Sequence, residues 1–170
     1  SLLIQDFSLY PDQKRIDVQV MVDWHEEFKL LKLCFPVNVR FPRITYEIPY
    51  GHVERESNGD EVPGQSWVDV SGVSPDTDDS YGLSILNDGK YSYDAKINEI
   101  SMTILRSPIY AHHDPVQPSP DEEYIFIDKG FQRFQYVLMP HANGWEDAQT
   151  PRHAAELNQP PIALLCTFHD

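Results

Sequence analysis

The sequence predicts an all-β fold, an antiparallel sandwich with at most one or two short helices, built by residues 1–170 as a single domain. Three observations carry that expectation. Apolar and polar residues alternate at period two in several separate runs, as they do on a strand with one buried face. Clusters of Gly, Pro, Asn and Asp punctuate these runs at short intervals. Aromatic residues make up 12% of the chain, and one stretch alone carries paired start and stop signals for a helix.

In chain order, "SLLIQDFSLY" is strand-like, and its position at the very start predicts a chain cut from something longer. "RIDVQVMVDW" puts Ile16, Val18, Val20 and Val22 on one face and Asp17, Gln19, Met21 and Asp23 on the other. After His25, Glu26 and Glu27, "FKLLKLCFPVNV" reads as a second strand that Pro36 ends, because proline cannot donate to a ladder. These two runs are predicted to pair as a hairpin. "RITYEIPYGHVER" alternates Ile44, Tyr46, Ile48 and Tyr50 before Gly51, and "ESNGDEVPGQ" is an exposed loop. "SWVDVSG" is a short strand and "VSPDTDDS" a solvated acidic loop. "YGLSILND" and "EISMTILRSP" are two more strands flanking the polar stretch "NDGKYSYD", which local spacing makes a turn. "HHDPVQPSPDEE" is an irregular surface crossing, "FQRFQYVLMPH" a strand, and "PIALLCTFHD" a closing strand. In "TPRHAAELNQP" Thr150 can cap, Pro151 suits the first helical position, Ala154, Ala155 and Leu157 favour helix, and Pro160 stops it.

Charge narrows the function. The 13 Lys and Arg against 27 Asp and Glu leave a formal charge of -14, which repels phosphate backbones and anionic lipid. Nucleic acid and membrane are therefore excluded as expected partners, and no apolar run reaches the roughly 20 residues a spanning helix needs. Cys34 and Cys166 sit in apolar runs and are expected as buried free thiols. The absence of an Asn-x-Ser/Thr sequon and of a signal-like start leans towards a bacterial cytoplasmic protein.

Chemistry-bearing motifs are sparse. His112 and His113 are adjacent, and neighbours on an extended chain point to opposite faces; His25, His52, His141, His153 and His169 are scattered without zinc-ligand spacing. No metal site is expected. G-x-S-x-G, P-loop and G-x-G-x-x-G patterns are missing, and the carboxylate pairs Asp78 with Asp79 and Glu122 with Glu123 lie in solvated loops, where nothing separates their pKa values into acid and base. Trp67, Tyr46, Tyr50 and Trp145 read as core or rim packing. The stretch "NDGKYSYD" differs: it joins donors and acceptors on Asn87, Asp88 and Lys90 to the flat rings of Tyr91 and Tyr93, the mixture that a sugar's hydroxyls and apolar ring face require.

Taken together, "VDWHEEFKLLKLCFPV" (22 to 37), "YEIPYGHVER" (46 to 55), "EVPGQSWVDVSG" (61 to 72), "YGLSILNDGKYSYDAKINEISMTILRSPIY" (81 to 110) and "FQRFQYVLMPH" (131 to 141) resemble the C-terminal β domain of glycoside hydrolase family 38, the α-mannosidases. They run in the family's order and cover most of the chain. The resemblance implies a supersandwich similar to galactose mutarotase-like domains. It also implies that zinc, the aspartate nucleophile and the acid/base residue belong to an N-terminal barrel absent from this sequence, so that no residue here is catalytic and none binds metal. The implied partners are that barrel and a helical bundle of the same polypeptide, together with an α-mannoside substrate. In the family one loop of the β domain reaches the substrate cleft with a basic residue; its match here is Asn87, Asp88, Lys90 and Tyr91, with lysine where animal members tend to have arginine. Asp128 and Gly130 resemble the end of a loop that is shorter in bacterial relatives. Two other functions stay open at this level: a free-standing carbohydrate-binding module, and a purely structural domain that docks its neighbours.

Overall fold

The computed structural model describes residues 1–113 and 115–165. Among them the chain forms β1 (Leu2–Leu9), β2 (Ile16–Trp24), β3 (Leu30–Pro36), β4 (Arg40–Ile48), β5 (Gly51–Arg55), β6 (Val62–Pro63), β7 (Trp67–Val73), β8 (Ser80–Asn87), β9 (Ser92–Lys96), β10 (Glu99–Arg106), β11 (Gly130–Ala142) and α1 (Thr150–Asn158). The strands make two antiparallel sheets. One has seven strands in the order β1-β2-β11-β8-β7-β4-β5, the other four in the order β3-β10-β9-β6. The all-β sandwich is thus the observed fold.

Period-two alternation explains the core between the sheets. Val18, Val20 and Val22 of β2 are buried beside Phe134 and Tyr136 of β11, Val68 and Val70 of β7, and Ile44 and Tyr46 of β4. Tyr93, Ala95, Ile100 and Met102 of the smaller sheet close against them, so each strand surrenders one face to a shared apolar layer. Ring contacts lock the layers: Phe35 of β3 meets Tyr136 edge-on at 5.5 Å, and Tyr46 meets Tyr93 at 6.1 Å. Gly64 is required at its position, since a Cβ there would stand 2.8 Å from the Tyr93 ring.

The outer face of the seven-stranded sheet carries a second, smaller core. Trp67, Leu86, Val137 and Met139 are covered by Ala154 of α1, with Trp145, Ala148 and Leu157 around them. The helix matches its predicted place, with proline in the first turn, but Thr150 does not cap it. Gln149 takes the cap position in the left-handed region (φ 54°) without a side-chain cap bond, while Thr150 turns inward, fully buried, to hydrogen-bond Ser84 at 2.7 Å.

Several expectations are corrected. The runs 15–24 and 28–39 do not pair as a hairpin: β2 lies between β1 and β11, whereas β3 pairs with β10 in the opposite sheet. The connection is redirected by Phe28 in the left-handed region (φ 54°) and by two backbone bonds, Phe28 N–H to the Ser107 carbonyl and Ser107 N–H to the Lys29 carbonyl. This places Leu31, Leu33 and Phe35 across the core from the valines of β2. The stretch 87–94 is not a turn between paired strands either. It is a crossover from the large sheet to the small one, and its second half is strand β9. The loop at 56–65 holds the two-residue strand β6.

Cys34 is exposed, not buried, because it faces outward from the edge strand β3. Tyr50 is fully exposed at the tip of the β4–β5 hairpin, where its φ of 66° makes it part of the turn. Residues 161–165 are irregular and exposed, so the expected closing strand does not form there; the remainder of that run, with Cys166 and His169, lies outside the described residues, as does Asp114. The described residues of the crossing at 112–123, that is 112–113 and 115–123, are irregular as expected. No helix among the described residues is long and apolar enough to cross a membrane.

Candidate functional site

The crossover between the sheets is organised by Asn87, the last residue of β8. Its side chain is completely buried and its hydrogen-bonding capacity is filled: Nδ2 donates to the Gln65 carbonyl at 3.2 Å and to the Tyr93 hydroxyl, while Oδ1 accepts from the backbone N–H groups of Gly89 at 2.9 Å and Lys90 at 2.6 Å. The Asn87 carbonyl accepts from Asn158 at the end of α1 at 3.0 Å. Asparagine does this because its amide offers both signs on one short arm, which lets the turn curl round its own side chain. Asn87 therefore anchors the loop and presents Asp88, Lys90 and Tyr91 above it.

Asp88 is exposed. Its Oδ1 accepts from the Gln135 backbone N–H at 2.9 Å, which holds the residue against β11. Lys90 is half-buried with Nζ 4.8 Å over the Phe134 ring and 3.4 Å from Gln132 Oε1. Burial pushes its ammonium below the usual lysine range, and the charges of Asp128 and Asp88 partly oppose that push. Tyr91 is 59% exposed and stands free at the surface.

Gly89, Lys90, Tyr91 and Ser92 line an open groove of about 830 Å³. Phe28, Glu61, Arg106 and Asp128 also line it. At one end Glu61 accepts hydrogen bonds from Ser92 Oγ at 2.7 Å and from Thr103, and pairs with Lys32, which also pairs with Asp94. The groove thus mixes fixed donors and acceptors with the exposed faces of Tyr91 and Phe28, a lining suited to a polyhydroxylated ligand.

Of the four residues expected at the site, Asp88, Lys90 and Tyr91 reach the surface together, and Asn87 lies beneath them. Sequence reasoning missed Gln65, Gln132 and Phe134, which come from other parts of the chain. The register that brings Phe134 and Gln132 beside the loop is a property of long-range pairing, and no local signal announces it.

A second polar cluster lies behind α1. His141 Nε2 is 2.7 Å from Asp69 Oδ2 and 3.1 Å from Ser84 Oγ; Ser84 Oγ also lies 2.7 Å from Asp69 Oδ2, and Ser71 bonds the other carboxylate oxygen. These are the residue types of a nucleophilic triad, but the connectivity is wrong for one. Serine and aspartate share the same imidazole nitrogen, and Ser84 is fully buried, so no proton can be relayed from an accessible hydroxyl. The cluster pins α1 to the sheet. Among the described residues no group of three or more His, Cys, Asp or Glu side chains converges as a metal donor set.

Comparison with known proteins agrees with the fold. Residues 1–123 match the model of the glycosyl hydrolases family 38 C-terminal domain. The chain is 34% identical over 151 residues to mouse "Alpha-mannosidase 2C1", covering 84% of this chain and 13% of that protein. It is 30% identical over 179 residues to "Alpha-mannosidase G" of Dictyostelium discoideum, covering 97% of this chain and 15% of that one. An alpha-mannosidase crystal structure from Enterococcus faecalis superimposes with a TM-score of 0.74 at 17% identity over 93% of this chain and 18% of the other, a likeness of fold. The chain therefore spans only 13–15% of the length of these curated relatives, and by the family match and the identity to them it belongs to the family 38 glycosyl hydrolase C-terminal domains.

Proposed function

We propose that this domain is a non-catalytic part of a zinc-dependent, retaining α-mannosidase, and that its 87–91 crossover contributes contacts to the substrate cleft of the whole polypeptide. The observation that carries the proposal is the saturated burial of Asn87 beneath Asp88, Lys90 and Tyr91. A loop held by four side-chain hydrogen bonds presents a cation, a carboxylate and an aromatic face without loss of their geometry on binding. The zinc ion and the catalytic carboxylates would belong to a barrel elsewhere in that polypeptide.

The chain's own residues then have defined tasks. Lys90, half-desolvated over Phe134, offers a directed donor to a sugar hydroxyl. Asp88 offers an acceptor, and Tyr91 a flat face for the ring. Positioning of this kind lowers the barrier of chemistry performed by groups on another domain. The test compares hydrolysis of an aryl α-mannoside, with zinc added, by residues 1–170 and by the longer gene product. Activity only in the longer protein supports a non-catalytic domain; activity in residues 1–170 would place a catalytic site within them and overturn it.

A further inference from the structure

The two sheets are unequal, and their mismatch leaves one side of the sandwich open. β1 is the edge of the seven-stranded sheet and β3 the edge of the four-stranded one, and the contacts of Phe35 in β3 with Tyr136 in β11 and of Tyr93 in β9 with Tyr46 in β4 set these two edges on the same side of the sandwich. Phe35 of β3 packs under Tyr136 of β11, so the smaller sheet ends short of β1. The register makes the consequence specific. Leu3, Gln5, Phe7 and Leu9 stand opposite Val22, Val20, Val18 and Ile16, which puts them on the core side of the sheet. Gln5 confirms the direction by reaching inward to the Tyr136 hydroxyl at 2.9 Å. Yet Leu3, Phe7 and Leu9 are 39%, 59% and 74% exposed. Apolar residues that point towards the core are thus left partly uncovered, increasingly from Leu3 to Leu9.

We propose that an extended segment of the longer polypeptide adds to the free edge of β3, beneath β1, and covers Leu3, Phe7 and Leu9. The plane that must supply the cover is the plane of the smaller sheet, and β3 ends it with an edge that pairs with no further strand among the described residues. Such a segment would gain main-chain bonds from β3 and apolar contact from β1 at once, the recognition mode of strand addition. β1 is also unguarded as an edge: "LLIQDFSL" spans eight residues with one charge, no proline and no lysine, where open edges are ordinarily blunted by such residues. The family relatives are about seven times longer than this chain's match to them, so the same polypeptide supplies the occupant at high effective concentration. This inference is independent of the sugar-binding role of residues 87–91.

The test uses the longer polypeptide with p-benzoylphenylalanine at position 7 in place of Phe7. Irradiation is expected to give a product of monomer mass in which position 7 is joined to a residue outside 1–170. A cross-linked dimer would make a second copy the occupant and overturn the proposal, as would the absence of any link or links confined to residues 1–170. Amide exchange gives a second readout: Phe7→Asp in the longer polypeptide is expected to speed exchange of the β3 amides at least tenfold, and unchanged exchange would contradict the strand addition.

Discussion

The Asn87 amide and the Tyr93 hydroxyl meet between the two sheets, and both turn to the same Gln65 carbonyl, at 3.2 Å and 2.9 Å. Asn87 ends a strand of the large sheet and Tyr93 lies in a strand of the small one, so this node fixes the crossover at both ends. Burial drives the Tyr93 hydroxyl far above its usual range, which keeps it protonated as a donor to Gln65. Asn87→Ala takes the acceptor from the Gly89 and Lys90 N–H groups and one of the donors from the Tyr93 hydroxyl and the Gln65 carbonyl, which keep only their bond to each other. An unsatisfied buried polar group costs about 1–3 kcal/mol, so the variant should lose roughly 3 kcal/mol or more in urea unfolding. A loss below about 1 kcal/mol would show that the node is not structural.

Asp69 serves His141, Ser84 and Ser71 at once, with its side chain 1% exposed. Asp69→Ala strands these partners behind α1 and should cost about 3 kcal/mol. Thr150→Val removes only the bond to Ser84 and should cost about 1 kcal/mol. Chemical denaturation of the two variants checks the ranking, and equal losses would contradict it.

Gly82 sits between β7 and β11, its neighbours in the large sheet: a Cβ there would lie 2.6 Å from the Val70 carbonyl oxygen and 2.7 Å from both His141 Cε1 and Ser71 Oγ. The carbonyl belongs to the ladder and cannot move away. Gly82→Ala should therefore destabilise by about 2 kcal/mol through overpacking, whereas Gly89→Ala meets nothing within 4 Å and should be near neutral. Thermal unfolding of the pair separates the two effects.

Tyr46 is buried in the core, and desolvation raises its phenol from 10.0 to about 12, with Arg55 over its ring partly opposing the shift. The folded pKa lies above the unfolded value, so the folded state binds more protons between pH 10 and 12. Stability is then fully present below the unfolded pKa and declines as pH rises through that window, by roughly 3 kcal/mol for this group alone. Urea midpoints that stay flat across the window would contradict it, and Tyr46→Phe should remove its share of the decline.

Strands are legible in the sequence wherever a run buries one face over many residues. Val18, Val20 and Val22 are 0–1% exposed, as their spacing predicts. Partnership is what the sequence conceals. Nothing local to β2 and β3 says that they face each other across the core instead of pairing, because that choice is made by β11 and β10, which lie far downstream in the chain and in opposite sheets. Strand β9 is hidden by its polar residues Ser92 and Asp94, which face outward into the network with Glu61 and Lys32. The outward position of Cys34 is masked by the apolar run around it, since such a run on an edge strand does not reveal which of its members face solvent. At the site, Asp88, Lys90 and Tyr91 are readable as surface groups, while the burial of Asn87 and the support of Phe134 and Gln132 depend on register alone.

The most direct test of the substrate-facing role is kcat/KM of the longer polypeptide for an aryl α-mannoside with Lys90→Ala and Lys90→Arg. The alanine variant is predicted to lose about tenfold, equivalent to about 1.4 kcal/mol of transition-state stabilisation, with its unfolding midpoint unchanged. The arginine variant, which keeps the charge and the donors, is predicted to recover most of that loss. Wild-type kcat/KM in Lys90→Ala would contradict the substrate-facing role, leaving the crossover as scaffold alone.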